Sequence, residues 1–64
     1  MNLVELLNVI DEYNEIVVAD DETGDLFVTG KAGQLPYRIV KMYENKTVTR
    51  VNTSYDTMYI YIKK

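Results

Sequence analysis

The chain has 64 residues and a formal net charge of −3, with seven Lys or Arg, ten Asp or Glu, and neither Cys nor His. That length makes one small domain, which on folding buries only about 60% of the surface its unfolded form exposes. Without Cys or His there is no disulfide and none of the usual structural zinc sites, so stability rests on packing, local signals or a second subunit. A hydrophobic content of 47% is normal for a folded domain. No apolar run reaches the roughly 18 residues of a membrane span, and no basic-then-apolar leader opens the chain, so a cytoplasmic protein is expected. The low isoelectric point argues against general binding to nucleic acid or anionic membranes.

The charge is unevenly placed. Residues 1–25 carry eight acids (Glu5, Asp11, Glu12, Glu15, Asp20, Asp21, Glu22, Asp25) and no base, whereas residues 26–64 carry all seven bases and only Glu44 and Asp56. Such a split implies a polarised surface of the kind that steers partners.

In chain order, residues 3–13 read as a helix, with Leu3, Leu6, Leu7 and Ile10 on one stripe and Tyr13 continuing it. Asn2 suits the N-cap, Glu5 completes a capping box, and Met1 and Leu6 hold the hydrophobic-staple positions. Ile16-Val17-Val18-Ala19 is a β-branched strand. Asp20 to Asp25 supplies a turn in which Gly24 offers a positive φ, and Leu26-Phe27-Val28-Thr29 returns as the second strand of a hairpin. Leu35-Pro36 opens a connector that runs through Tyr43; within residues 34–45 the pattern leaves helix and irregular chain both open, Pro36 suiting a first helical position and Tyr37, Ile39, Val40 and Tyr43 the apolar side of a turn or two of helix. Residues 46–52 alternate as a third strand, although strict alternation sends Val48 and Val51 to opposite faces unless a bulge intervenes. Thr57 to Ile62 is the clearest strand: Met58, Ile60 and Ile62 point one way and Thr57, Tyr59 and Tyr61 the other. The expected fold is α+β, a single domain over residues 1–64, with the N-terminal helix packed on a four-stranded antiparallel sheet whose second face is open.

Chemistry-bearing motifs are scarce. Aligning Gly24 with the invariant glycine of an EF-hand loop puts Ala19 and Gly30 at the first and last ligand positions, where neither side chain can coordinate. Gly24 to Ala32 has the wrong spacing for a phosphate-binding loop, and Ala32 stands where Ser or Thr must reach the metal. With no Cys, no His and one Ser, nucleophilic catalysis has little to work with. No apolar pocket is evident that would raise a carboxylate pKa. No enzyme activity, cofactor or metal is expected.

The six tyrosines say more. Tyr59 and Tyr61 fall on the open sheet face, with Arg50 beside them and Lys63 and Lys64 at its end. Tyr and Arg anchor protein interfaces, and aromatics on an open sheet also stack on bases. Tyrosines also suit strands without any further role.

Several features together resemble a large group of very short proteins encoded by phages and prophages of Firmicutes. They are the opening Asn2-Leu3-Val4-Glu5-Leu6-Leu7 with Ile10, an apolar strand ending in Asp20-Asp21, the Gly24-x-Leu26 return, Lys31-Ala32 with Leu35-Pro36, and the alternating Met58 to Ile62. Some small acidic phage proteins of this general kind resemble inhibitors of host defence, including anti-CRISPR proteins. The resemblance implies an inhibitor or adaptor working in the host cytoplasm, and it carries over no functional residues.

Two functions are therefore expected. In the first, a non-enzymatic module binds a basic or nucleic-acid-binding host protein through Glu5, Glu12, Glu15, Asp20, Asp21, Glu22 and Asp25, carboxylates that satisfy Lys and Arg forks built for phosphates. In the alternative, a small β module binds nucleic acid through Arg50, Tyr59, Tyr61, Lys63 and Lys64. A homodimer is a further expectation. Face-to-face packing of the tyrosines is favoured over pairing of the last strand at a sheet edge, which Lys63 and Lys64 would blunt.

Overall fold

The computed structural model describes residues 1–63 and has the α+β architecture read from the sequence. Its elements are α1 (Leu3–Leu7), β1 (Glu15–Asp20), β2 (Leu26–Lys31), a 3-10 turn (Ala32–Gln34), α2 (Tyr37–Tyr43), β3 (Val48–Ser54) and β4 (Thr57–Ile62). The strands form one sheet in the order β2-β1-β4-β3.

The two hairpins are antiparallel, but the central pair, β1 with β4, is parallel, so the sheet is mixed rather than wholly antiparallel. Hydrophobicity explains the arrangement. β1 and β4 are the most apolar strands, and the centre of the sheet is where apolar side chains lose the most water. The more polar β2 and β3 take the edges. The chain then has to run from the β2 edge to the β3 edge, and it does so through the 3-10 turn and α2. As a result β4 is a central strand, not the edge strand expected from its place at the end of the sequence.

The core is the set Leu3, Ile16, Val18, Ile60 and Ile62, each at most 1% exposed. Burying a side chain of this size stabilises the fold by about 1.5–3 kcal/mol. Leu6, Leu7, Ile10, Phe27, Val28, Tyr43, Val48 and Met58 pack around that set. The rings of Phe27 and Tyr43 stack with centroids 4.6 Å apart, tying the end of α2 to β2.

The first helix is shorter than its periodicity predicts. It stops at Leu7, with Asn8 as C-cap, and residues 8–14 turn back toward β1. Ile10 still reaches the core from that loop, whereas Tyr13 is 69% exposed. An irregular segment can therefore place apolar residues at helical spacing without being helical. The start of α1 is as read: Asn2 Oδ1 accepts from the Glu5 N–H at 2.9 Å, and Glu5 Oε1 accepts from the Asn2 N–H at 2.9 Å. Met1, at the outer staple position, is 69% exposed. In α2, Pro36 is the N-cap residue, and Tyr37 faces water instead of joining Ile39, Val40 and Tyr43.

A bulge at Thr49 resolves the alternation of β3. Val48 lies opposite Ile62, Arg50 opposite Tyr61 and Val51 opposite Ile60, which brings both valines to the helix-covered face. Val51 nevertheless remains 40% exposed, because the helices do not reach that far across the edge strand.

Leu3, rather than Leu7, is the fully buried member of the helix stripe. Leu3→Ala is expected to lower stability by about 2–5 kcal/mol, and Leu7→Ala by clearly less. Urea unfolding of both variants checks this, and an equal loss would mean that α1 packs differently.

Candidate functional site

The acidic residues do not form one surface. Glu15 begins β1 and Asp20 ends it, about 16 Å apart at roughly 3.3 Å per residue. Glu15 lies opposite Lys31 in the β1–β2 ladder. Glu12 is exposed in the loop before β1, and its carbonyl accepts the Gly33 N–H at 2.8 Å. A side chain at Gly33 would sit 2.6 Å from Glu12 Cβ, so this close approach requires glycine. Glu5 is committed to the α1 cap.

The other four of the seven candidate acids, Asp20, Asp21, Glu22 and Asp25, gather at the β1–β2 turn, around Asp20. Asp20 is buried, 8% exposed as a residue. Its Oδ2 accepts from the Thr23 hydroxyl at 2.8 Å and its Oδ1 from the Glu22 N–H at 3.4 Å. The Thr23 hydroxyl oxygen also accepts from the Asp25 N–H at 3.2 Å. Backbone bonds close the turn: the Asp20 N–H donates to the Asp25 carbonyl and the Gly24 N–H to the Asp20 carbonyl, each at 2.9 Å. Gly24 has a φ of 77°, as the turn requires. Asp21 is anchored separately, its N–H donating to the Ile62 carbonyl at 2.9 Å. The consequence is an ordered tip that presents the exposed Glu22 and Asp25 to solvent.

The two groups of candidate residues meet at this end of the sheet. Arg50 Nε lies 3.2 Å from Asp21 Oδ1, and the Arg50 guanidinium carbon lies 4.0 Å from the centroid of the Tyr61 ring. Register places Ala19, Tyr61 and Arg50 side by side on the open face, with Val17, Tyr59 and Asn52 in the next row. Tyr59 and Tyr61 are half-buried by these neighbours, not freely projecting. Lys63 is exposed beyond β4, and its N–H donates to the Thr47 carbonyl. Lys64 lies outside the described residues.

Two features of this region went unread in the sequence. Thr23 organises the acidic turn, and the Asp-x-x-Thr spacing was the available signal. Tyr55, at the tip of the β3–β4 hairpin, is fully exposed with a φ of 55°. Ser54-Tyr55-Asp56-Thr57 contains neither Gly nor Asn, so nothing there announces a left-handed residue.

An open groove of about 440 Å³ lies between α1 and α2, lined by Val4, Leu7, Leu35, Tyr37 and Val40, with Lys41 and Glu44 also contributing. Among the described residues no cluster of Asp and Glu is arranged to hold a metal ion. No helix among them is long and apolar enough to cross a membrane. No family model matches the chain, and neither a curated protein nor a solved structure shows significant similarity to it.

Removing the Asp20 carboxylate leaves Thr23 and the Glu22 N–H without their acceptor. Asp20→Ala is expected to cost about 1–3 kcal/mol and to speed amide exchange at Glu22 and Asp25. Unchanged exchange there would mean that the backbone alone orders the turn.

Tyr55 gives the opposite sign. A left-handed non-glycine residue costs about 1–2 kcal/mol, and glycine adds about 0.5–1 kcal/mol of entropy loss on folding. Tyr55→Gly should therefore raise stability by about 0.5–1 kcal/mol in urea unfolding. A loss would show that the phenol ring stabilises the hairpin.

Proposed function

We propose that this chain is a non-enzymatic protein-interaction module, an inhibitor or adaptor of the phage-encoded kind that its sequence resembles, which engages a basic host protein through the acidic turn. The observation that carries this reading is the ordering of the turn around Asp20. A turn whose backbone is ordered before binding loses less conformational freedom when its carboxylates meet a Lys or Arg cluster, so more of the charge attraction appears as affinity. The binding set narrows accordingly. Glu22 and Asp25 are the carboxylates offered to a partner, Asp21 contributes while paired with Arg50, and Asp20 holds the turn together. Glu5, Glu12 and Glu15 lie outside this set.

The nucleic-acid alternative draws less support. Arg50 has its charge opposed by Asp21 and its guanidinium laid on Tyr61, which weakens its pull on a phosphate and covers the ring face a base would stack on. Lys31, toward the other end of the face, stands opposite Glu15.

Affinity capture of the tagged protein from its bacterial host, with and without nuclease, separates the two readings. A protein partner that survives nuclease is expected, and recovery of nucleic acid alone would support the β-module reading. With that partner purified, Glu22→Gln combined with Asp25→Asn should slow association roughly tenfold at low salt and flatten its salt dependence, while thermal unfolding stays unchanged. Association that ignores both the substitutions and salt would refute recognition through this turn.

A further inference from the structure

The outer edge of β3 is bare along most of its length. Met1 and Asn2 cover only its beginning: Asn2 bridges to Thr47, and the Val48 N–H donates to the Met1 carbonyl at 3.0 Å. Beyond the Thr49 bulge, Arg50 to Ser54 run in regular register with β4, and every residue there is exposed. The usual devices that blunt an edge are missing from this stretch. It has no Pro, no Lys and no inward-pointing charge, and its bulge lies behind it. Its one charged side chain, Arg50, is turned onto Tyr61 and Asp21.

We propose that β3 pairs with β3 of a second copy of this chain, antiparallel across a two-fold axis at Asn52, joining two sheets into one. The register follows from the hairpin. Ser54 and Thr57 close the two-residue Tyr55-Asp56 turn as a hydrogen-bonded pair, so alternation directs the N–H and C=O of Asn52 toward β4 and those of Val51 and Thr53 outward. Antiparallel pairing about Asn52 brings Val51 opposite Thr53 of the second copy and Thr53 opposite its Val51. All the outward groups of those two residues are then satisfied in a self-complementary way. Side-chain chemistry agrees with this register. Val51, left 40% exposed on the helix side, gains a β-branched neighbour. Arg50 faces Ser54 of the second copy instead of its own image, so no like charges oppose each other. A register centred on Arg50 would stack two guanidinium groups. One strand pair is a small interface, which points to a weak dimer in the high-micromolar range. The proposal concerns a different surface from the acidic turn and stands or falls separately from it.

Asn52 offers a direct test, because the chain contains no cysteine. In the proposed register the two Asn52 residues form a non-hydrogen-bonded pair with Cα atoms about 4.5 Å apart, within disulfide range. Asn52→Cys should oxidise to a covalent dimer readily, and Thr29→Cys on the opposite edge should not. In the wild type, sedimentation from low micromolar to millimolar concentration should show the mass approaching twice the monomer value. Amide exchange at Val51 and Thr53 should slow in step with that change, and Val51→Lys should restore the monomer. A wild type that remains monomeric at millimolar concentration, or equal cross-linking at both cysteine positions, overturns the proposal. So does dimerisation that leaves exchange at Val51 and Thr53 unaltered. Because the exchange measurement uses the unmodified chain, misfolding of a variant cannot mask the answer.

Discussion

The parallel contact between β1 and β4 is the constraint on which the other features depend. It places Ile16 beside Met58, Val18 beside Ile60 and Asp20 beside Ile62, and so assembles the buried set from two hairpins distant in sequence. Neither hairpin alone could bury its apolar face, since a two-stranded unit is marginal in water. Joining them side by side gives the helices a surface of four strands to cover. It also fixes the ends of the sheet: the acidic turn after β1 and the C-terminus of β4 emerge together. The Asp21 N–H accordingly donates to the Ile62 carbonyl, and Arg50 on β3 comes within reach of Asp21.

Local signals in the sequence were sufficient where local physics decides. The capping box at Asn2 and Glu5, the Gly24 turn and the alternation of Met58 to Ile62 each depend on a few neighbouring residues, and each has the form read from the chain. The parallel pairing was not legible in that way. It is chosen by competition among strands for the centre of the sheet, and the alternating pattern of one strand carries no record of its neighbours. The length of α1 failed for a related reason: Ile10 reaches the core from a loop, mimicking the next turn of a helix.

Charge is distributed on the folded chain quite differently from its order along the sequence. Along the sequence the acids and bases form two blocks, which suggests opposed surfaces. Folding interleaves them instead, with Glu15 against Lys31 and Asp21 against Arg50. Opposed charges this exposed contribute little to stability, about 0–1 kcal/mol, and of these two contacts it is Asp21 with Arg50 that forms an ion pair, at 3.2 Å. Their effect is on what remains available. Arg50 is laid against Asp21 and Tyr61, so its charge is opposed where the tyrosines lie, and Glu22 and Asp25 are the exposed acids of the turn. A block of charge in sequence is therefore a poor guide to a patch on a sheet, because adjacent strands bring opposite blocks together.

The bare β3 edge follows from the same economy of size. Two short helices suffice to cover one face, and the apolar strands must be central, so both polar strands are forced outward. The two edges are finished differently. β2 bulges at Phe27, opposite Val18 and Ala19, and from Val28 through Gly30, at a φ of 145°, to Lys31 its register with β1 is continuous. β3 spends its bulge near the start, at Thr49, where Met1 and Asn2 already cover the backbone. The stretch left regular is the one without cover. If edge protection were under equal pressure on both sides, the irregularity would serve better between Val51 and Thr53. Its placement instead lets Val48 rejoin the core, so the packing of the monomer itself leaves the segment beyond the bulge straight and pairable.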